Sequence, residues 1–246
     1  MRKKEIMIPI SLLIFLSHFT TGCEENGVAV EISDSLVVSP CSRLYPPLDT
    51  VILGHTNFTR GNYPARIKVF QADTISSGDI VMLGNSLTEM GGNWNTKLGI
   101  TTVKNRGISG DNTNGVMARL DELLCRDPSL VFLMIGTNDL FLTDSPTEIA
   151  KRIDSIGSRL ATGLPDARIF VQTIMPLGAG HSQKQKAIQI NGLIKAVVDP
   201  DYVVLDTYQH MADENGDLPA AFTYDDIHLT PEGYVHWVTL LKENIN

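Results

Sequence analysis

The sequence predicts an α/β fold, a parallel β-sheet covered by helices on both faces. Five short apolar runs are each bounded by turn residues, and segments of helical periodicity lie between them in strict alternation. No internal repeat, low-complexity tract or second composition regime interrupts the pattern, so one domain accounts for it.

The runs are "DIVMLG" (79–84), "ITTVKNRG" (100–107), "SLVFLMIG" (129–136), "ARIFVQTI" (167–174) and "DYVVLDT" (201–207). Continuous apolar runs of this length suit strands buried on both faces, as in a parallel sheet. Between them, Asp111 is placed to cap a helix carrying Val116, Leu120, Leu123 and Leu124 on one face. Ser145, Pro146 and Glu148 form a capping box ahead of Ile149, Ile153, Ile156 and Leu160. Residues 184–198 repeat the helical pattern, and Thr230-Pro231 opens a last helix through Tyr234, Trp237, Val238 and Leu241. Parallel sheets bind ligands at the carboxyl ends of their strands, so polar residues there are the ones that matter for function.

Upstream, Arg2, Lys3 and Lys4 precede an apolar stretch that ends at Cys23, and residues 1–22 read as an export signal. Gly22 directly before Cys23 resembles a bacterial lipoprotein cleavage site, although Thr20 stands where Leu is usual. Glu24 and Glu25 resemble the surface-export signal of some Gram-negative lipoproteins. The expectation is an exported periplasmic or cell-surface lipoprotein, touching the membrane only through a lipid on Cys23. A plain secretory peptide is the alternative. Residues 23–58, with Pro40, Pro46 and Pro47, read as a tether and covering strap, and residues 59–246 as the folded domain. The formal net charge is −8, which argues against a nucleic-acid partner, since phosphate binding needs clustered Lys and Arg. With Cys23 lipidated, Cys41 and Cys125 remain; an exported protein can pair them. Cys125 ends an amphipathic helix, where a buried free thiol is the simpler reading. No Cys/His cluster has zinc spacing, so no metal and no cofactor are expected.

Four strand ends carry candidate chemistry. Ser86 follows the first run in "GNSLT"; taken alone, a serine there is a turn former or helix cap. G-x-S-x-G and the phosphate-binding G-x-x-x-x-G-K-[ST] are both absent. Gly110 follows the second run and Asn138 the third, each an ordinary turn residue by itself. Asp225 and His228 are three apart, a spacing that lets a base and the carboxylate orienting it share one turn. In combination, Ser86 is a nucleophile and His228 its base, with Asp225 holding the imidazole. The N–H groups of Ser86 and Gly110 and the Asn138 amide are donors for a tetrahedral oxyanion. Trp94, Met90 and Phe141 are candidate acyl-pocket residues, with core packing as the alternative. His181 is either a substrate contact or a surface histidine, and Glu89 and Asp226 read as solvated or capping acids.

The order Ser86, Gly110, Asn138, Asp225/His228 resembles the SGNH (GDSL-type) hydrolases over about residues 60–240. Asn85 departs from that family's usual Asp. Within the family, "NRGISGDNTNGVMARL", "GTND" and "HLTPEGY" are most similar to the platelet-activating-factor acetylhydrolase branch and its bacterial relatives. The resemblance implies a flavodoxin-like three-layer sandwich with a five-stranded parallel sheet, no metal, and hydrolysis of short acyl esters. The expected substrate is a small, acetyl-type ester, with acetylated carbohydrate as a candidate. A lysophospholipase or thioesterase with a longer acyl pocket, and a silent carbohydrate-binding module, are the competing readings. A flavin- or nucleotide-binding flavodoxin-like protein is weaker, because it leaves the Ser/His pair unexplained.

Overall fold

The structure is a computed structural model that describes residues 40–198 and 200–245. The export signal, Cys23 and the first part of the tether lie outside the described residues. Five strands form one parallel sheet in the order β2-β1-β3-β4-β5, with helices on both faces. The strands are β1 (Ile80–Gly84), β2 (Val103–Gly107), β3 (Leu130–Met134), β4 (Arg168–Gln172) and β5 (Val203–Leu205). All five sequence runs therefore become strands, trimmed at their ends.

The period-two alternation of strand side chains divides the core into two layers. Val81, Leu83, Val131 and Leu133 face one side. There they meet Ile149, Ile153, Ile156 and Leu160 of α6 (Pro146–Gly163) and Ala187, Ile190 and Ile194 of α7 (Lys184–Lys195). Met82, Phe132 and Met134 face the other side. They pack with Trp94 of α3 (Trp94–Leu98), Met211 of α8 (Thr207–Met211) and Trp237 of α9 (Pro231–Glu243). Each fully buried Ile or Leu contributes about 1.5–3 kcal/mol, so these stripes dominate the fold's stability. The Ser145 capping box forms as its sequence dictates: Ser145 Oγ accepts the Glu148 N–H and Glu148 accepts the Ser145 N–H. Among the described residues, no helix is long and apolar enough to cross a membrane.

Three elements differ from the sequence reading. A helix, α1 (Asn57–Ala72), spans residues that gave no helical expectation; Thr56 caps it by accepting the Thr59 N–H. Its Tyr63, Ile67 and Phe70 pack with Ile52 and Ile108 in a third apolar cluster. Pro64 and Gly61 obscure its helical pattern, and packing overrides their low propensity. The helix expected from Asp111 to Leu124 is broken into α4 (Thr113–Met117) and α5 (Asp121–Arg126). Asn112, not Asp111, caps α4, because buried partners occupy the Asp111 carboxylate.

The third difference is Cys125. It is not a free thiol but is disulfide-bonded to Cys41, with a Cα–Cα distance of 5.5 Å. The short 3-10 turn Pro40–Ser42 brings the strap to the last turn of α5. The bridge closes a sequence separation of 84 residues. Replacing both cysteines by serine is expected to lower the unfolding free energy by about 2–4 kcal/mol, mainly by freeing the unfolded chain. Urea denaturation checks this; an unchanged midpoint would show that the bridge adds nothing to stability.

Candidate active site

Register sets the site's position. Gly84 pairs with both Gly107 and Met134, so β2, β1 and β3 end level. The chain leaves β1 for β2 on one side and later returns to β3 on the other, which opens a switch point at that edge. The residues just beyond these ends are Ser86, Gly110 and Asn138.

The turn at Ser86 is tight. A Cβ on Gly84 would lie 2.3 Å from the Met134 carbonyl oxygen, so only glycine fits between the strands. Asn85, fully buried, caps α2 (Ser86–Met90): its Oδ1 accepts the Leu87 N–H at 3.0 Å. This is what Asn85 does. An aspartate offers the same acceptor oxygen, so the cap survives the departure from the family's usual residue, while Asn85 Nδ2 has no partner among the described residues. The cap makes Ser86 the first residue of α2, with its N–H at a helix N-terminus and its side chain on the sheet's carboxyl edge.

His228 Nε2 lies 2.9 Å from Ser86 Oγ, and His228 Nδ1 lies 2.7 Å from Asp225 Oδ2. With Nδ1 facing a carboxylate, the neutral imidazole carries its proton there, and Nε2 offers a lone pair to the serine hydroxyl. Asp225 Oδ1 accepts the backbone N–H groups of Ile227 and His228, which folds residues 225–228 into one turn. Asp226 adopts φ +69° within it, and its carbonyl accepts the Gly178 N–H, pinning the turn to the loop after β4. Burial by itself would raise the Asp225 carboxyl, but hydrogen bonds from the His228 side chain and backbone and from Ile227 outweigh it. The net effect holds the group below the usual carboxylate range. Ser86 is nearly covered at 8 % exposure, while Asp225 and His228 reach the surface.

Gly110 sits at φ +82°, a conformation that favours glycine. Among the described residues, neither its N–H nor that of Ser86 has an acceptor in the protein. Asn138 opens a 3-10 turn, Asn138–Phe141, and its Nδ2 donates to the Asp111 carbonyl at 2.7 Å. An amide has two N–H donors, so one remains for a ligand. Two free backbone donors and one free amide donor thus line the edge beside a serine paired to an imidazole. That arrangement can attack a carbonyl carbon and hold the oxyanion that results.

The remaining sequence candidates separate. Trp94 is core: it is 1 % exposed, packs edge-on to Trp237, and donates Nε1–H to the Thr88 carbonyl. Met90 and Phe141 are exposed at the rim, with the Tyr224 hydroxyl 3.9 Å from Met90 Sδ and the His181 ring edge-on to Phe141. The Tyr224 ring stacks along His228. Glu89 is not a solvated acid: its carboxylate accepts the Ser109 N–H, faces Arg66 and takes a hydrogen bond from Asn62.

Sequence reasoning missed a buried brace. The Arg119 guanidinium donates to Asp111 Oδ2 and to the carbonyls of Gly84 and Arg106, joining the ends of β1 and β2. His55, from the strap, meets Asp111 Oδ1 at 3.0 Å. An arginine in "MARL" carries no local signal of this role, since its partners are distant carbonyls. A cavity of about 440 Å³ lined by Tyr45, Pro46, Glu122 and Arg126 lies under the strap and shares no residue with this cluster. Among the described residues, no group of three or more His, Cys, Asp or Glu side chains could hold a metal ion.

Comparison with known proteins identifies the family and the fold. The profile of the GDSL-like lipase/acylhydrolase family matches residues 78–235. Platelet-activating factor acetylhydrolase IB subunit alpha2 of Homo sapiens is 27% identical over 175 residues, covering 68% of this chain and 76% of that protein. Among solved structures, a GDSL-like lipase from Bacteroides thetaiotaomicron aligns with a TM-score of 0.64 at 24% identity, over 75% of this chain and 97% of the other. A variant of an acetyl-xylooligosaccharide esterase from Geobacillus aligns with a TM-score of 0.56 at 18% identity, over 70% and 96%. At these identities, the structural likenesses establish the shared fold.

Proposed function

The chain belongs to the GDSL-like lipase/acylhydrolase family of ester-bond hydrolases, and from that premise we propose that it is a serine esterase for short acyl esters, acetyl above all, working through Ser86, His228 and Asp225. The observation that carries this reading is the unbroken chain of hydrogen bonds from Ser86 Oγ through the imidazole to the Asp225 carboxylate.

Ser86 Oγ attacks the ester carbonyl carbon while its proton passes to His228 Nε2. The Ser86 and Gly110 N–H groups and the Asn138 amide hold the oxyanion. Asp225 fixes the tautomer and stabilises the imidazolium. The carbonyl then reforms, the alcohol leaves with the proton from His228, and an acyl-serine remains. Water, deprotonated by His228, attacks the acyl-serine and the same donors hold the second oxyanion. The acid is released and Ser86 regains its proton.

Asp225 is held below the usual carboxylate range, so its carboxylate keeps its charge beside the His228 ring down into that range.

The acetyl preference draws support from the 27%-identical relative, platelet-activating factor acetylhydrolase IB subunit alpha2. An acetylated carbohydrate is the proposed natural substrate class, the exposed rings of Phe141 and Tyr224 offering faces for a sugar. Export as a lipoprotein through Cys23 also remains our proposal. It draws support from the disulfide, which persists in oxidising compartments. Hydrolysis of p-nitrophenyl esters from acetyl to decanoyl, beside acetylated sugars, tests the substrate reading. The expected maximum lies at acetyl, and a maximum at long chains would assign a lysophospholipase or thioesterase instead.

A further inference from the structure

Four polar side chains at helical spacing, His55, Thr59, Asn62 and Arg66, lie along one side of α1 and its N-terminal approach. Each meets the loop that carries Gly110. Arg66 Nε donates to the Gly107 carbonyl at 3.1 Å and Asn62 Nδ2 to the Ser109 carbonyl at 3.3 Å. Thr59 Oγ1 lies 3.4 Å from the Gly110 carbonyl, and His55 Nε2 meets the Asp111 carboxylate. Contacts four, three and four residues apart on α1 and its approach thus follow the loop in reverse order. The approach is close: a Cβ on Gly110 would lie 2.2 Å from Thr59 Oγ1.

We propose that α1 is a positioning helix for the oxyanion hole and that Asn62 is its principal positioning residue. The physical link is the planarity of one peptide group. The Ser109 carbonyl and the Gly110 N–H belong to the same trans peptide and point in opposite directions. Holding the carbonyl against α1 aims the N–H away from α1. Glu89 fixes the other side of the same residue by accepting the Ser109 N–H, and Asn62 Nδ2 also reaches Glu89. His55 acts one residue further along. It holds the side chain of Asp111, whose carbonyl oxygen orients the Asn138 amide. Two of the three oxyanion donors are therefore set from α1 and its approach, which precede the family-matched residues 78–235. The inference rests on the reading of Ser86, Gly110 and Asn138 given above.

The test uses the full chain with p-nitrophenyl acetate and a small alkylboronic acid. Boron accepts the Ser86 oxygen, the serine proton passes to His228, and the tetrahedral adduct places an oxygen in the hole. Asn62→Leu removes the donor at a half-buried position. It is expected to lower kcat about tenfold and weaken boronic acid inhibition in parallel, with KM within about twofold. Asn62→Gln, which restores an amide donor, is expected to recover most of the loss. His55→Leu should lower kcat in the same way, with His55→Gln recovering it, since the Gln amide nitrogen can replace the imidazole Nε2. Wild-type kcat and boronic acid affinity in a folded Asn62→Leu would overturn the proposal. So would a loss confined to KM, or one that Gln does not repair. Ser86→Ala, run beside them, separates the two levels. If it retains hydrolysis, the reading of the site itself fails; if it is inactive while Asn62→Leu is unimpaired, only the positioning role fails.

Discussion

Ser86→Ala is expected to lower kcat for p-nitrophenyl acetate by about four to six orders of magnitude. The reason is local. Among the described residues, Ser86 Oγ is the one hydroxyl placed against His228 Nε2, at 2.9 Å, while the carboxylate holds the imidazole's other nitrogen. His228→Ala should cost about as much, and the double variant no more than either single one, because the two groups act as a unit. The fold should hold in both. Ser86 contributes no helix cap, that role being Asn85's, and the His228 side chain lies at the surface. Single-turnover kinetics with thermal denaturation beside them checks this. Additive losses in the double variant would mean that serine and histidine work in separate steps. Full activity in Ser86→Ala would move the nucleophile elsewhere.

The second large effect falls on Asn138. Removing one oxyanion donor costs about 10²–10³ in kcat when the remaining donors stay in place. Asn138→Ala is expected to fall in that range with KM little changed, since the amide meets the substrate oxygen chiefly when it carries charge. Asn138→Asp should be worse than alanine. It places a negative charge where an oxyanion develops, and it loses the donor to the Asp111 carbonyl seen at 2.7 Å. Equal activity of the Asp and Ala variants would show that the side chain does not face the oxyanion. A loss expressed wholly in KM would make Asn138 a substrate-binding residue.

The sheet was legible because its strands are buried on both faces. Continuous apolar runs such as "IVMLG" and "LVFLM" admit few other readings when helical periods separate them. The long helix α6 was legible for a similar reason: its capping box and its stripe of Ile149, Ile153, Ile156 and Leu160 agree. Helix α1 was not, because a proline and a glycine blur its period and part of its inner face is polar. The polar stripe that hides α1 from hydrophobic patterning is the same set of residues that meets the Gly110 loop. The break between α4 and α5 was equally hidden. Arg119 looks like a helix-surface charge and Asp111 like a helix cap, yet both are buried, Arg119 against the Gly84 and Arg106 carbonyls and Asp111 against His55.

What the sequence determined alone was the kind of chemistry and its order along the chain. A serine after the first strand, a glycine and an asparagine after the next two, and an Asp/His turn before the last helix are local facts, each encoded in its own short segment. Even the Asn85 cap is local, although its role became plain only when α2 was seen to start one residue later. What only the tertiary structure decided was distance and direction. The level ends of β1, β2 and β3 follow from sheet register. The 2.9 Å contact joins residues 142 apart in sequence. The Cys41–Cys125 pairing depends on where the strap crosses α5. The aim of the Gly110 N–H depends on a carbonyl held by a helix that sequence patterning did not reveal. Local patterning reports which side chains a segment offers, but hydrogen-bond geometry is set by the meeting of segments, and that is decided by packing.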